Sequence, residues 1–144
     1  MLRKIFGNDD FNKIGFDDIV YLNKFPSKKI ILINTLPINE QSFLIKGTTS
    51  FQIEEKIIND SLRQYDQITI IIYGKNNIDD SVEVKYRQLQ NLGYSRNNLY
   101  IYYGGILEWS LLQDIYGNDN FQTTSHNIDV LKFKPERNLD TNRI

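Results

Sequence analysis

Three short apolar runs constrain this chain more than any other feature. Lys29-Ile30-Ile31-Leu32-Ile33-Asn34 is the first, Ile68-Thr69-Ile70-Ile71-Ile72-Tyr73 the second and Leu99-Tyr100-Ile101-Tyr102-Tyr103 the third. Each is rich in branched or aromatic residues and too short for a core helix. Each therefore predicts a strand covered on both faces. The intervening segments carry a different period. Ile53, Ile57, Ile58 and Leu62 recur at helical spacing after Ser50, a residue type suited to an N-cap. Val82, Val84, Tyr86, Leu89 and Leu92 do the same between Ser81 and Gly93, which closes that helix. A further helix runs from Ile106 to Tyr116, holds the only tryptophan, Trp109, and ends at Gly117. An earlier short helix is predicted around Phe16, Ile19 and Val20, with Asp17 and Asp18 favoured in its first turn and Pro26-Ser27 breaking it. Strand alternating with helix predicts an α/β fold, a small mostly parallel sheet with helices on both faces. Sites in such sheets lie at the carboxyl ends of the strands. Asn34, Gly74 and Tyr103-Gly104 mark that edge.

The second run passes directly into Gly74, then into the polar loop Lys75-Asn76-Asn77-Ile78-Asp79-Asp80, then into the helix that starts at Ser81. A strand feeding a tight loop at a helix N-terminus is a ready anion cradle. Unpaired backbone N–H groups and the helix dipole converge there. Composition limits the chemistry the loop can support. The chain has no cysteine, which removes disulfides, thiolate metal sites and sulfur nucleophiles together. A net charge of −1 gives no general attraction for nucleic acid or an anionic membrane. No run of about 18 apolar residues is present, and the first ten residues turn acidic before an apolar stretch develops. The expectation is a cytoplasmic protein that binds neither nucleic acid nor membrane. Its 144 residues suit one domain, read as an extension over 1–13, a core domain over 14–121 and an extension over 122–144. Alanine is absent while isoleucine and asparagine abound, a bias typical of AT-rich genomes such as those of large DNA viruses, protists or reduced bacteria.

Several segments, in their order, resemble a rhodanese-homology domain. Tyr100-Ile101-Tyr102-Tyr103-Gly104-Gly105-Ile106-Leu107-Glu108-Trp109 resembles the family's strand, Gly-Gly turn and helix start with its tryptophan. Leu92-Gly93-Tyr94 resembles the leucine-glycine-tyrosine that closes the helix after the active-site loop. Ile31-Leu32-Ile33-Asn34-Thr35 falls where the family has a strand ending in aspartate and arginine, and Leu44-Ile45-Lys46-Gly47-Thr48 where it has a histidine-containing turn. The resemblance covers roughly residues 14–116 and implies a rhodanese-like three-layer fold. It also implies a catalytic cysteine at the position of Gly74, which has no side chain to carry persulfide sulfur. Leu44 replaces the histidine, and Asn34-Thr35 replaces the Asp-Arg pair. The family's loop is often basic, whereas here Lys75 is the one cation and Asp79 and Asp80 oppose an anion. Loss of these positions together implies a catalytically inactive, rhodanese-like module that acts through an unknown protein partner. The alternative is a domain that holds a small anion or phosphate, or works as a non-covalent enzyme, through the loop after Tyr73.

Each candidate residue also has a simpler role. Gly74 serves either a bare anion nest or a purely structural turn. Lys75 is a phosphate contact or a solvated loop lysine. Asp79 and Asp80 are acids or Mg²⁺ ligands, or they cap the following helix with Ser81. Lone His126 has no partners for a triad or a metal site, so no metal or cofactor is expected. Asn34, Leu44, Tyr73, Tyr103 and Gly104 are the expected pocket lining around the degenerate loop of residues 74–80. The alternating stretch over residues 128–135 is an edge strand, a docking segment or an extension packed on its own domain.

Overall fold

The computed structural model describes residues 10–126 and 129–139. Helix α1 spans Phe16–Lys24, α2 Phe51–Arg63, α3 Ser81–Leu92 and α4 Gly105–Tyr116. Strands β1 (Ile30–Asn34), β2 (Thr69–Tyr73) and β3 (Leu99–Tyr102) form one parallel sheet in the order β1-β2-β3. The register pairs Leu32 with Ile71 and Asn34 with Tyr73, then Ile71 with Tyr100 and Tyr73 with Tyr102. Single parallel bridges extend the sheet on both sides, Lys13 beside Ile101 and Thr48 beside Leu32. The Ile101 amide donates to Asn12 O at 2.8 Å, and the Ile14 amide to Ile101 O at 3.0 Å. Residues 12–14 are thereby held along β3.

Successive strand residues face opposite sides, and this divides the core in two. Ile33, Ile70, Ile72, Leu99 and Ile101 pack with Ile58 of α2 and Val82, Tyr86 and Leu89 of α3. Leu32, Ile71, Tyr73 and Tyr102 pack on the other side with Ile19 of α1 and Ile106 and Trp109 of α4. Helices thus cover both faces, which gives the expected three-layer α/β arrangement. The first face is mostly aliphatic. The second is aromatic, and Trp109 meets both Tyr102 and Phe121 edge-on. Its Nε1 donates to Gln122 O at 2.9 Å, so the buried indole is satisfied.

Local signals set the helix ends. The Ser50 hydroxyl accepts from the Gln52 amide at 3.2 Å and caps α2. Gly93, at φ 122, closes α3, and the Tyr94 amide folds back to Leu89 O at 3.0 Å. A Lys85–Glu54 ion pair at 3.0 Å ties α3 to α2. The third strand stops at Tyr102, one residue before its apolar run ends, because Tyr103 and Gly104 already form the turn into α4. The alternating C-terminal stretch forms no strand in its described part. A 3-10 helix, Val130–Phe133, forms there, and the Asp129 side chain accepts from the Leu131 amide. The rest of that prediction, at residue 128, lies outside the described residues, as do 1–9, 127 and 140–144.

Candidate functional site

The loop of residues 74–80 sits where β2 ends and α3 begins, as the sequence places it. Asp79 organises it. Its Oδ2 accepts from the Lys75 amide at 3.0 Å, and its Oδ1 from the Ser81 amide at 3.0 Å. The carboxylate therefore reaches back across the loop and takes donors that a bound anion would use. Burial opposes its charge. Hydrogen bonds from Lys75 and Ser81 and the Lys75 charge overcome that opposition and hold the carboxyl below the ordinary aspartate range. Asp80, at the N-cap position of α3, makes no side-chain cap bond. The capping role expected of the Asp pair falls to Asp79.

Gly74 is a close-packed position. A Cβ there would lie 2.7 Å from Asp79 Oδ2, and 3.0 Å from both Thr35 Oγ1 and Val82 Cγ1. Its φ lies outside the left-handed region, so glycine is required by space. The neighbouring Gly104-Gly105 turn explains the crowding from the other side. The Ile106 and Leu107 amides, at the start of α4, donate to Gly74 O and Lys75 O, both at 3.0 Å. Gly105 adopts φ +69, and a Cβ there would fall 2.6 Å from Gly74 O. The free N–H groups of α4 are thus directed at the loop's own carbonyls.

The Asn76 and Lys75 side chains are also engaged. The Asn76 side chain is buried. Its Oδ1 accepts from the Ile78 amide at 3.1 Å, and its Nδ2 donates to Phe133 O at 2.9 Å. Lys75 Nζ lies 3.9 Å from Glu40 Oε2. Asn77 and Ile78 form the outer turn, with Ile78 exposed. Thr35 and Ser81 share a hydroxyl contact at 2.7 Å that joins the end of β1 to the start of α3.

The five expected lining residues are placed in different surroundings. Asn34 accepts from the Leu36 amide at 2.9 Å and pairs twice with the Gln41 side chain, fixing the turn after β1. Leu44 is a core residue on the aromatic face. Tyr73 is fully buried there, and its hydroxyl accepts from the Ile45 amide at 3.1 Å and contacts Thr48 Oγ1 at 2.7 Å. Burial, above all, raises its phenol above the ordinary range. Tyr103 is half-buried and donates to Glu83 Oε2 at 2.5 Å, bridging the end of β3 to the first turn of α3. Its phenol is also raised, first by burial and then by Glu83. Gly104 begins the turn into α4, and a side chain there would meet Glu108. Leu44 and Tyr73 share the aromatic core and Asn34 pairs with Tyr73 in the strand register, whereas Tyr103 packs on the other face. Two clefts have other linings, one at Lys46, Gln113 and His126 and one at Tyr21, Phe25 and Ile30. Among the described residues no group of three His, Cys, Asp or Glu could hold a metal, and no helix is long and apolar enough to cross a membrane.

The sequence singles out Thr35, Ser81 and Gly105 near this loop but not the contacts they make, and it gives no sign that Phe133 belongs to the assembly. Phe133 is an ordinary residue made important by long-range contact.

No protein-family model and no curated protein sequence matches the chain. Solved structures do. The BH2092 protein of Bacillus halodurans is 16% identical, with a TM-score of 0.56, over 69% of this chain and 72% of that one. An As-Sb reductase from Leishmania major is also 16% identical, with a TM-score of 0.53, over 76% of this chain and 81% of the other. At that identity the likeness is one of α/β fold. With no cysteine in the chain, no thiol can carry sulfur through a cysteine-dependent transfer cycle.

Proposed function

We propose that this protein is a catalytically inactive rhodanese-like domain that serves as a protein-interaction or regulatory module. One observation carries the reading. The carboxylate of Asp79 fills the loop at Gly74, 2.7 Å from where a first side-chain atom would stand. A nucleophile there would collide with it, and an external anion would meet a fixed negative charge. Glu40 adds a further carboxylate, 3.9 Å from the Nζ of Lys75, the loop's one cation. An anion that used the Lys75 and Ser81 amides would have to displace Asp79 from them.

Two measurements on the purified protein test the reading. Thiosulfate and cyanide are expected to give no thiocyanate above a protein-free blank. Millimolar sulfate or phosphate is expected to leave the melting temperature unchanged, because a ligand stabilises only if it binds the native state. Turnover would overturn the inactive reading, and a saturable anion-dependent rise in Tm would favour the alternative.

A further inference from the structure

The described C-terminal segment is attached to the domain in an unusual way. Of residues 129–139, Phe133 alone is buried, at 1% exposure. Its neighbours Leu131, Lys132 and Lys134 are exposed. The ring stacks on Phe43 with centroids 5.9 Å apart, and the 3-10 helix that carries it lies against α4. Among the described residues, one hydrogen bond joins this segment to the rest of the chain, from Asn76 Nδ2 to Phe133 O.

The turn itself is held from within. Asp129 Oδ1 accepts from the Leu131 amide at 3.1 Å and Asp129 O from the Lys132 amide at 3.2 Å. Leu131 O accepts from the Lys134 amide at 3.1 Å. The bonds that shape the turn are thus local to it. The domain side is less self-sufficient. Asn76 is only 6% exposed, so loss of Phe133 O would leave a buried amide donor unpaired beside an empty aromatic slot. The site therefore asks for two things from one residue, an aromatic ring and that residue's own carbonyl oxygen. One buried aromatic anchor ringed by exposed neighbours is how short peptides commonly bind a folded domain. The resident segment is basic: Lys132 and Lys134 flank the anchor in sequence, and both are exposed.

We propose that the pocket filled by Phe133 is a peptide-recognition site whose resident ligand, residues 129–134, is detachable. From a partner protein it takes a basic turn anchored by an aromatic side chain. This rests on the interaction-module reading and gives that module its contact point. Resident and partner are mutually exclusive, since both need the Phe43 slot and the Asn76 amide.

The test uses the full chain and a fluorescein-labelled synthetic peptide with the sequence of residues 127–137. The intact chain holds its own segment at high effective concentration and should bind the peptide weakly. The full-length Phe133→Ala chain should bind it at least tenfold more tightly. A peptide in which the phenylalanine is replaced by alanine should bind neither chain. Adding Asn76→Ala to the Phe133→Ala chain should weaken binding of the unmodified peptide roughly tenfold. A folded Phe133→Ala chain that ignores the peptide at millimolar concentration overturns the proposal. If that variant does not fold, a protease site placed between Asn127 and Ile128 and cut in the native protein supplies the second test. The cut segment should stay bound and exchange with labelled peptide; unfolding on cleavage, or no exchange, also overturns the proposal. A dimer of the intact chain built by swapping this segment would make a second copy the occupant and overturn the partner assignment. Failure of peptide binding in a protein that still forms no thiocyanate and ignores anions sinks this site alone. Turnover with peptide binding intact sinks the inactive reading alone.

Discussion

The two ends of the sheet are finished in opposite ways. Where the strands end, the loop of residues 74–80 is sealed by its own chemistry. Asp79 takes the Lys75 and Ser81 amides, and α4 takes the Gly74 and Lys75 carbonyls. Where β1 and β2 begin, a cleft of about 480 Å³ opens beneath α1, lined by Tyr21, Phe25, Ile30 and Thr69 among others. Tyr21 and Phe25 stand 65% and 60% exposed, with ring centroids 4.9 Å apart. The usual expectation for a parallel sheet puts the site at the first of these ends. That expectation presumes loops whose backbone donors are free. Here Asp79 already holds two of them, the Lys75 and Ser81 amides, so the end that looks functional by topology is partly filled from within.

The sharpest way to break this contrast is at Gly105. Alanine there needs a left-handed backbone and puts a Cβ 2.6 Å from Gly74 O, where no side chain can yield. A loss of about 3 kcal/mol is expected in denaturant unfolding. A near-neutral result would mean that the α4 start does not clamp the loop. Gly74→Cys comes next, at about 2 kcal/mol of overpacking. Asp79→Ala should relieve part of that cost, so a double-mutant cycle should show favourable coupling between the two positions. A Gly74→Cys chain of normal stability, with a thiol that alkylates rapidly at neutral pH, would mean the loop is an open cradle after all.

Asp79→Asn should cost about 1 kcal/mol near neutral pH, in the range of a lost helix cap. Because the folded carboxyl is held below its unfolded value, Asp79 contributes stability above about pH 4. That contribution is lost as the pH falls through the depressed folded value. Wild type and Asp79→Asn should therefore converge in stability on acidification. Parallel curves down to the acid limit would show that the carboxylate's charge is not what holds the loop. The smallest effect belongs to the open end. Tyr21→Ser and Phe25→Ser should each change stability by no more than about 0.5 kcal/mol, since both rings are already mostly in water. A large loss at either would show that this end is as closed as the other.

The sequence made most of the fold legible. Runs of branched residues marked β1, β2 and β3, because a strand buried on both faces must be continuously apolar. Ser50 and Gly93 marked helix ends through capping chemistry that acts within a few residues. For the C-terminal stretch the sequence left a strand and an extension packed on the domain both open; Phe133 packs on the domain, and Asp129 captures the Leu131 amide and starts a turn, which alternation alone cannot reveal. The candidate site was legible as a place but not as an arrangement. Its position follows from one strand meeting one helix. Its contents depend on Thr35, Gly105 and Phe133, which reach it from other strands, another helix and the C-terminal segment.

By itself, then, the sequence determined the layered α/β plan and the absence of any thiol chemistry, because periodicity and residue type are local properties. It also determined that glycine stands at residue 74. Tertiary structure alone decided why. A glycine can leave a loop open or let neighbours crowd in, and the choice lies in distances between residues far apart in the chain. Asp79, Thr35 and Val82 close on Gly74 from three sides, while Gly105 brings α4 onto its carbonyl. Close packing of distant groups, which no local pattern encodes, turned an expected cradle into a filled one.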